Sequence, residues 1–145
     1  MYIGSGQLSC TFNCSPWKDY WKSISKIVIS KEVIAPENSF FLFADLFNVT
    51  EIEGLENLDT SKVKNMNGMF VNDTSSLVTL DISNFETNNV ENMCKMFAGK
   101  DKLTTLNLTN FNFTKVNNRE LMLSGMKNLT NLYMDKDDKF KIAGE

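Results

Sequence analysis

The sequence contains no histidine and few of the residues that build small-molecule sites. Its 145 residues include no His, three Cys, two Pro and seven Gly. Without histidine, Ser-His-Asp triads, Cys-His catalytic pairs and His-bearing zinc sites are excluded. The glycines form neither G-x-G-x-x-G nor G-x-x-x-x-G-K, so no phosphate-binding loop is visible. Catalysis would have to use carboxylate, lysine or cysteine chemistry.

The cysteines are too few for a four-cysteine zinc site. Cys10 and Cys14 form one C-x-x-x-C pair and Cys94 stands alone. Whether Cys10 and Cys14 are free thiols or form a disulfide stays open. No metal or cofactor site is predicted.

Long apolar runs and targeting signals are also lacking. No apolar run reaches the length of about 18 residues that a membrane span needs, so no membrane span is predicted. Residues 1–12 have neither the basic start nor the continuous apolar run of a signal peptide. We therefore expect a location at the cell surface or outside the cell if the chain is a trimmed fragment, and in the cytoplasm if it is complete as given.

Charge and composition indicate a folded, slightly acidic domain. Hydrophobic residues make up 42% and charged residues 23%, which is ordinary for a globular protein. The net charge of −3 and the pI near 5.0 argue against nucleic-acid binding, because that needs a basic face for the phosphates. The length fits one domain.

An internal repeat organises the chain. The segment LVTLDISNFETNNVENMCKMFAGKDK, from Leu77, aligns with LTTLNLTNFNFTKVNNRELMLSGMKN, from Leu103, at an offset of 26 residues. The segment from Thr60 matches the one from Thr87 at an offset of 27, which indicates an extra residue in the loop 71–76. The pattern predicts about five coils, each of which packs only against its neighbours. The coils begin near Ile24, Val49, Leu77, Leu103 and Leu129.

Each repeat predicts a strand followed by a turn and a short helix. The alternation L-x-x-L-x-L is typical of a strand with one buried face. Val63, Met66 and Phe70 then follow at helical spacing, with Thr60 or Ser61 as the expected N-cap. The predicted fold class is an α/β repeat solenoid with parallel strands. Its adjacent strands should contain, in order, the inward residues Ile27, Ile52, Leu80, Leu106 and Leu132.

Two further side-chain types have predicted roles inside the solenoid. Asn84 and Asn110 follow their strands, where we expect them to be buried and to bond the backbone of neighbouring coils. A stripe of methionines is expected to fill the core rather than to form a binding surface. Its members are Met66, Met69, Met93 and Met96.

The repeat unit resembles that of the BspA-like leucine-rich-repeat surface proteins of bacteria. The runs LENLDTSKVKNMNGMF and LDISNFETNNVENMCKMF carry the resemblance, which extends over about residues 24–134. In the third helical segment Arg119 stands where Met is expected and Leu123 where Phe is. The resemblance implies a right-handed leucine-rich-repeat solenoid, displayed on a cell surface, that binds host or matrix proteins.

The two ends differ from the repeats. Ser15 and Pro16 favour a helix start, and Trp17 and Trp21 lie on one face of the predicted helix with Tyr20. We predict an aromatic capping helix over the first coil; an exposed aromatic ligand platform is the alternative. The predicted organisation is an N-terminal segment and cap over 1–23, a solenoid over 24–134 and a charged tail over 135–145.

The outward strand positions form the candidate binding surface. Solenoids present these positions on a concave sheet, and Tyr133 is the best expected anchor because tyrosine is enriched at binding hot spots. No catalytic residue is predicted, since nothing beside Glu51 and Glu53 would raise a carboxylate pKa. The basic rim of the opposite, convex face is the alternative surface, with Lys62, Lys64, Lys95 and Lys115. The predicted concave-face residues are Glu51, Glu53, Thr79, Asp81, Ser83, Thr105, Asn107, Thr109, Asn131 and Tyr133.

Two function hypotheses follow. The first is a non-enzymatic protein-binding module like the adhesin-type surface repeat proteins. The second is a small acidic intracellular inhibitor, for example one encoded by a phage, that blocks a basic host protein. In both, the partner is another protein, and the acidic side chains favour one with a basic surface.

Overall fold

The fold consists of short parallel strands that recur along the chain. The structure is a computed structural model that describes residues 1–9, 15–71 and 76–135. Cys10, Cys14 and nearly all of the charged tail therefore lie outside the described residues. The strands are β1 Tyr2–Ile3, β2 Gly6–Gln7, β3 Lys26–Ile29, β4 Val33–Ile34, β5 Glu51–Glu53, β6 Leu58–Asp59, β7 Thr79–Asp81, β8 Thr105–Asn107 and β9 Asn131–Tyr133.

These strands form three parallel sheets, with the orders β1-β3-β5, β2-β4-β6 and β7-β8-β9. The register follows the repeat: Ile27 pairs with Ile52, and Leu106 pairs with both Leu80 and Leu132. The inward side chains therefore stack from coil to coil. The predicted solenoid of about five turns with parallel strands is confirmed.

The segment after each strand also joins adjacent coils. Isolated parallel bridges link one asparagine per coil, in the order Asn38, Asn65, Asn92 and Asn118. Beyond each bridge, alternate N–H groups donate to the next coil; those of Met66, Gly68 and Phe70 bond to carbonyls of residues 92, 94 and 96 at 2.8–2.9 Å. This turn side of the solenoid is continuous from coil 24–48 to coil 103–128.

The predicted short helices are wrong, and with them the α/β leucine-rich-repeat fold. The described residues contain no α-helix, and a single 3-10 helix covers Leu55–Asn57. Segments with the helical stripe, such as 60–70, are successive turns. Thr60 caps no helix: its buried hydroxyl accepts a hydrogen bond from the Glu86 N–H of the next coil at 2.8 Å.

Each stripe segment contains a residue with left-handed backbone at its centre, which explains why the stripe is not helical. Such a residue breaks a right-handed helix, and the neighbouring coils satisfy the backbone groups instead. The spacing of Val63, Met66 and Phe70 still directs the three side chains into the core. The equivalent residues at these centres are Phe41, Gly68, Lys95 and Leu121, with φ between 53° and 58°.

The core is a set of stacked columns. The rings of Phe43, Phe70 and Phe97 lie in consecutive coils, with centroids 5.4 and 5.9 Å apart. The four methionines of the predicted stripe are fully buried in the same core, so the prediction that they fill it is confirmed. Each coil thus buries its apolar face against its neighbours.

The N-terminal aromatics extend this stack, but not as a helix. Residues 15–23 form turns, so the predicted capping helix is wrong. Trp17 is buried, stacks on Phe43 with centroids 6.0 Å apart, and donates its indole N–H to the Leu42 carbonyl at 2.6 Å. Trp21 packs edge-on against Phe47, whereas Tyr20 is exposed. The two tryptophans therefore cover the first coil's apolar edge.

Within the described part of the chain, one charged side chain occupies a core position. Lys100 stands where Met126 stands in the next coil, and it is only 3% exposed. Burial lowers the pKa of Lys100 to about 8, and the charge of Asp45 only partly offsets that effect. A buried ammonium group of this kind favours the unfolded chain, in which it is hydrated.

Candidate functional site

The predicted binding residues share one surface, here called the strand face, which consists of the outward side chains of β3, β5, β7, β8 and β9. Thr79, Thr105 and Asn131 form one row across adjacent strands, and Asp81, Asn107 and Tyr133 form the next. Ser83 and Thr109 follow their strands and are half-buried. Tyr133 is 53% exposed. Glu51 and Glu53 lie on β5, in the other sheet.

A lysine partly neutralises the β5 carboxylates. Lys26 on β3 forms ion pairs with Glu51, at 3.0 Å, and with Glu53. Hydrogen bonds to Glu53 and then to Glu51 raise the pKa of Lys26, and the bond from Lys26 lowers the pKa of Glu53. Because all three side chains are solvent-exposed, these pairs add little stability but fix the charges on this part of the strand face.

The strand face is interrupted between β5 and β7. No hydrogen-bonded pairing joins these two described strands, so the predicted adjacency of Ile52 and Leu80 is wrong. The break is local, because Asn65 and Asn92 of the same two coils pair on the turn side. Ile52 is half-buried as a result, whereas the equivalent Ile27 and Leu106 are fully buried.

The break lies where the coil length changes, because the first two coils have one residue more in this turn than the third coil has. Val49 precedes its equivalent Leu77 by 28 residues, but Asn57 precedes Asn84 by 27. The additional residue lies where the chain turns through Gly54, with φ of 76°, into the 3-10 helix. A side chain at Gly54 would collide with the Ile29 carbonyl oxygen, so the turn needs glycine. This detour carries β5 out of register with β7.

The break opens into a cleft of about 320 Å³, here called the break cleft. Its floor is apolar, with Ile52, Leu55, Leu77 and Leu80, and hydroxyl and carboxylate groups surround it. The polar lining residues are Thr50, Glu51, Glu56, Thr79 and Asp81. Three of these, Glu51, Thr79 and Asp81, belong to the surface predicted from the sequence.

The break cleft is acidic. The described residues that line it include three carboxylates and no lysine or arginine. Burial alone would raise the pKa of Asp81, but hydrogen bonds from the Ser83 N–H and hydroxyl and from the Asn107 amide outweigh it and hold that pKa below its ordinary value. Asp81 is therefore ionised at neutral pH.

A second acidic groove, of about 670 Å³, lies beside the strand face, at the residues that follow β3, β5 and β7 along the chain. It shares Glu56 with the break cleft and adds the carboxylates of Glu32, Asp59 and Glu86. Hydrogen bonds from the Ser61 hydroxyl and N–H lower the pKa of Asp59. Within the described ranges, no three Cys, Asp or Glu side chains are placed to share a metal ion.

Sequence reasoning missed Thr50, Ile52, Leu55, Glu56, Leu77 and Leu80 as site residues. Ile52, Leu55, Leu77 and Leu80 occupy inward or corner positions of the repeat. Such positions predict side chains that are buried in the core, not side chains that line a surface site. The available signal was the irregular spacing of 28 residues from Val49 to Leu77, because an insertion beside a ladder interrupts its hydrogen bonds.

The stacked parallel ladders define this chain as a β-solenoid repeat protein. Residues 38–141 match the model of a family described as Mycoplasma protein of unknown function, DUF285. The match covers more than half of the chain, so the chain belongs to this family. No curated protein and no solved structure matches it. In the described residues, no helix is long and apolar enough to cross a membrane.

Proposed function

We propose that this protein is a non-enzymatic binding module that holds another protein on its strand face. The carrying observation is the break cleft, an acidic opening in an otherwise regular face beside exposed polar rows. The resemblance of the repeats to BspA-like surface repeat proteins supports a role in adhesion, and with it a location at the cell surface.

The strand face suits protein recognition because rigid ladders fix its side chains. Asn107 donates its amide to the Asp81 carboxylate at 3.2 Å, and its own side-chain oxygen accepts the Thr109 N–H at 3.0 Å. Such preorganised polar groups give register and specificity, while Tyr133 supplies contact area at low entropic cost. The carboxylates of the cleft favour a basic partner and accelerate its encounter.

Selection from a random-peptide display library on the immobilised protein tests this proposal. The selected peptides are then titrated against Tyr133→Ala, Asp81→Lys and, as the control for the convex face, Lys64→Glu. We expect the first two changes to weaken binding at least tenfold and the third to leave it unchanged. Loss of binding only in Lys64→Glu would move the site to the convex face, and recovery of no specific peptide would overturn the binding function.

A further inference from the structure

Two strand edges face the break cleft with open backbone groups. In a parallel ladder, alternate residues of a strand bond to opposite neighbours. The Val28 N–H donates to the Met1 carbonyl of the preceding coil at 2.9 Å, so the alternate residue Ile27 faces β5 and bonds Glu51 and Glu53, which flank its partner Ile52. The Ile82 N–H donates to the Asn107 carbonyl of the following coil at 3.2 Å. The alternate residues of β5 and β7 are therefore turned toward the cleft, where none of the described strands pairs with them. These residues are Ile52 on one side and Thr79 and Asp81 on the other.

An unpaired strand edge is a template for another strand. Natural sheets limit such edges to their ends, whereas here two edges face each other in the middle of a solenoid. The cleft volume of about 320 Å³ lies at the small end of ligand sites. It therefore has room for a few extended residues rather than for a helix or a folded domain. Half-buried Ile52 supplies an apolar contact for one side chain of such a segment.

The charges at the cleft specify the segment further. Among the described ion pairs, Glu51 shares Lys26 with Glu53, whereas neither Glu56 nor Asp81 takes part in one. Both line the cleft, and Asp81 is ionised as argued above. A lysine or arginine on the bound segment would meet both carboxylates.

We propose that the break cleft binds a short extended segment of the partner that carries a lysine or arginine and pairs as a strand with the edges of β5 and β7. This inference rests on the proposed function and names the recognised element. Backbone pairing supplies affinity, and the acidic groups with the apolar floor select the sequence.

The probes are three synthetic capped pentapeptides: Ac-TVKVT-NH2, the acidic analogue Ac-TVEVT-NH2, and a version of the first with its alternate amides N-methylated. N-methylation removes the donors that strand pairing needs and leaves the charge unchanged. Binding is measured by titration, and the site is located by NMR shifts of the backbone amides. We expect the lysine peptide to shift the amides of Ile52, Thr79 and Asp81, and both other peptides to bind at least tenfold more weakly.

Variants separate the cleft from the rest of the strand face. Glu56→Gln combined with Asp81→Asn removes the two negative charges but keeps a side-chain oxygen that accepts the Ser83 hydrogen bonds. This double change should lower the affinity for the lysine peptide at least tenfold. Thr79→Trp starts from an exposed side chain and fills the cleft, so it should abolish binding. Glu91→Gln, an exposed position on the turn side, is the matched control and should have no effect.

The outcomes of the peptide and library experiments distinguish strand pairing in the break cleft from binding elsewhere on the strand face. Equal binding of the N-methylated peptide, or binding that Thr79→Trp leaves intact, overturns strand pairing in the cleft. If library-selected peptides nevertheless lose affinity with Tyr133→Ala, the strand-face function stands and only this inference fails. If the lysine peptide shifts no strand-face amide and the library yields no binder, both fail.

Discussion

The side-chain amide of Asn84 donates a hydrogen bond to the carbonyl oxygen of Leu55 at 2.8 Å, so one side chain ties together the two coils that separate at the break cleft. The same relationship recurs one coil later, where Asn110 bonds the Ser83 carbonyl at 3.2 Å. The predicted bonding of these asparagines across coils is therefore confirmed. Both side chains are exposed rather than buried.

Asn84→Ala should lower the free energy of unfolding by about 1 kcal/mol, because it removes one inter-coil hydrogen bond and leaves the Leu55 carbonyl with the Leu58 N–H as its remaining partner. Urea unfolding followed by circular dichroism measures the change. Asn117→Ala, at an exposed position on the turn side, is the control and should change stability by less. Equal effects of the two changes would show that the Asn84 bond adds nothing specific.

Leu106→Ala should cost roughly 2–5 kcal/mol of unfolding free energy, as for other buried leucines. Leu106 is fully buried and its strand pairs on both sides. Val78→Ala, at a residue 51% exposed in the same sheet region, should cost far less. Similar midpoints of denaturation for both variants would contradict the inward register of β8.

Trp21→Ser should destabilise the fold and promote association, because it uncovers apolar surface at the N-terminal edge. Trp21 packs on Phe47 with ring centroids 4.6 Å apart. Size-exclusion chromatography and thermal melts report the two effects. Tyr20→Ser is the matched control, since Tyr20 is 67% exposed. A Trp21→Ser protein with an unchanged monomer peak and melting temperature would mean that Trp21 covers nothing.

Stability should rise with pH through the titration of Lys100. The pKa of Lys100 is about 8 in the folded protein against an ordinary value of 10.5, so the unfolded chain binds this proton more tightly and protonation favours unfolding. The penalty is complete below pH 8 and disappears as the pH approaches 10.5. The full penalty of burying the protonated Lys100 corresponds to about 3 kcal/mol of unfolding free energy.

Lys100→Met places in this coil the residue that the next coil has at the same position. It should raise stability at pH 7 and abolish the rise between pH 8 and 10.5 that Lys100 causes. Unfolding curves of the wild type and the variant across this range give the difference directly. Lys102→Met, at an exposed position, should reproduce the wild-type profile. A constant difference between the wild type and Lys100→Met at all pH values would show that Lys100 titrates normally.

The repeat period and the side-chain alternation were sufficient to predict a large part of the fold. Residues such as Leu80 and Leu106 predicted strands, their inward face and their parallel register, because only stacked coils bury such a pattern. The burial of the methionine stripe followed from the same argument, whereas the aromatic cover was predicted as a helix and consists of turns. The period also predicted which outward residues share a face.

The conformation between strands was decided by tertiary contacts. A spacing of three and four residues is common to a helix and to the successive turns of segment 60–70, and the sequence does not distinguish them locally. Left-handed residues such as Lys95 occur because the next coil accepts the backbone hydrogen bonds that a helix would satisfy internally. No local signal predicts a lysine in that conformation.

The break cleft likewise depended on the three-dimensional structure. The sequence by itself determined the period, the buried face and the acidic outward residues, since these follow from residue order and polarity. It showed an irregular spacing after Val49, but not whether a loop would absorb the extra residue or a ladder would separate. Only the tertiary structure decided this, because the turn at Gly54 packs against the Ile29 carbonyl of the preceding coil and so displaces β5 from β7.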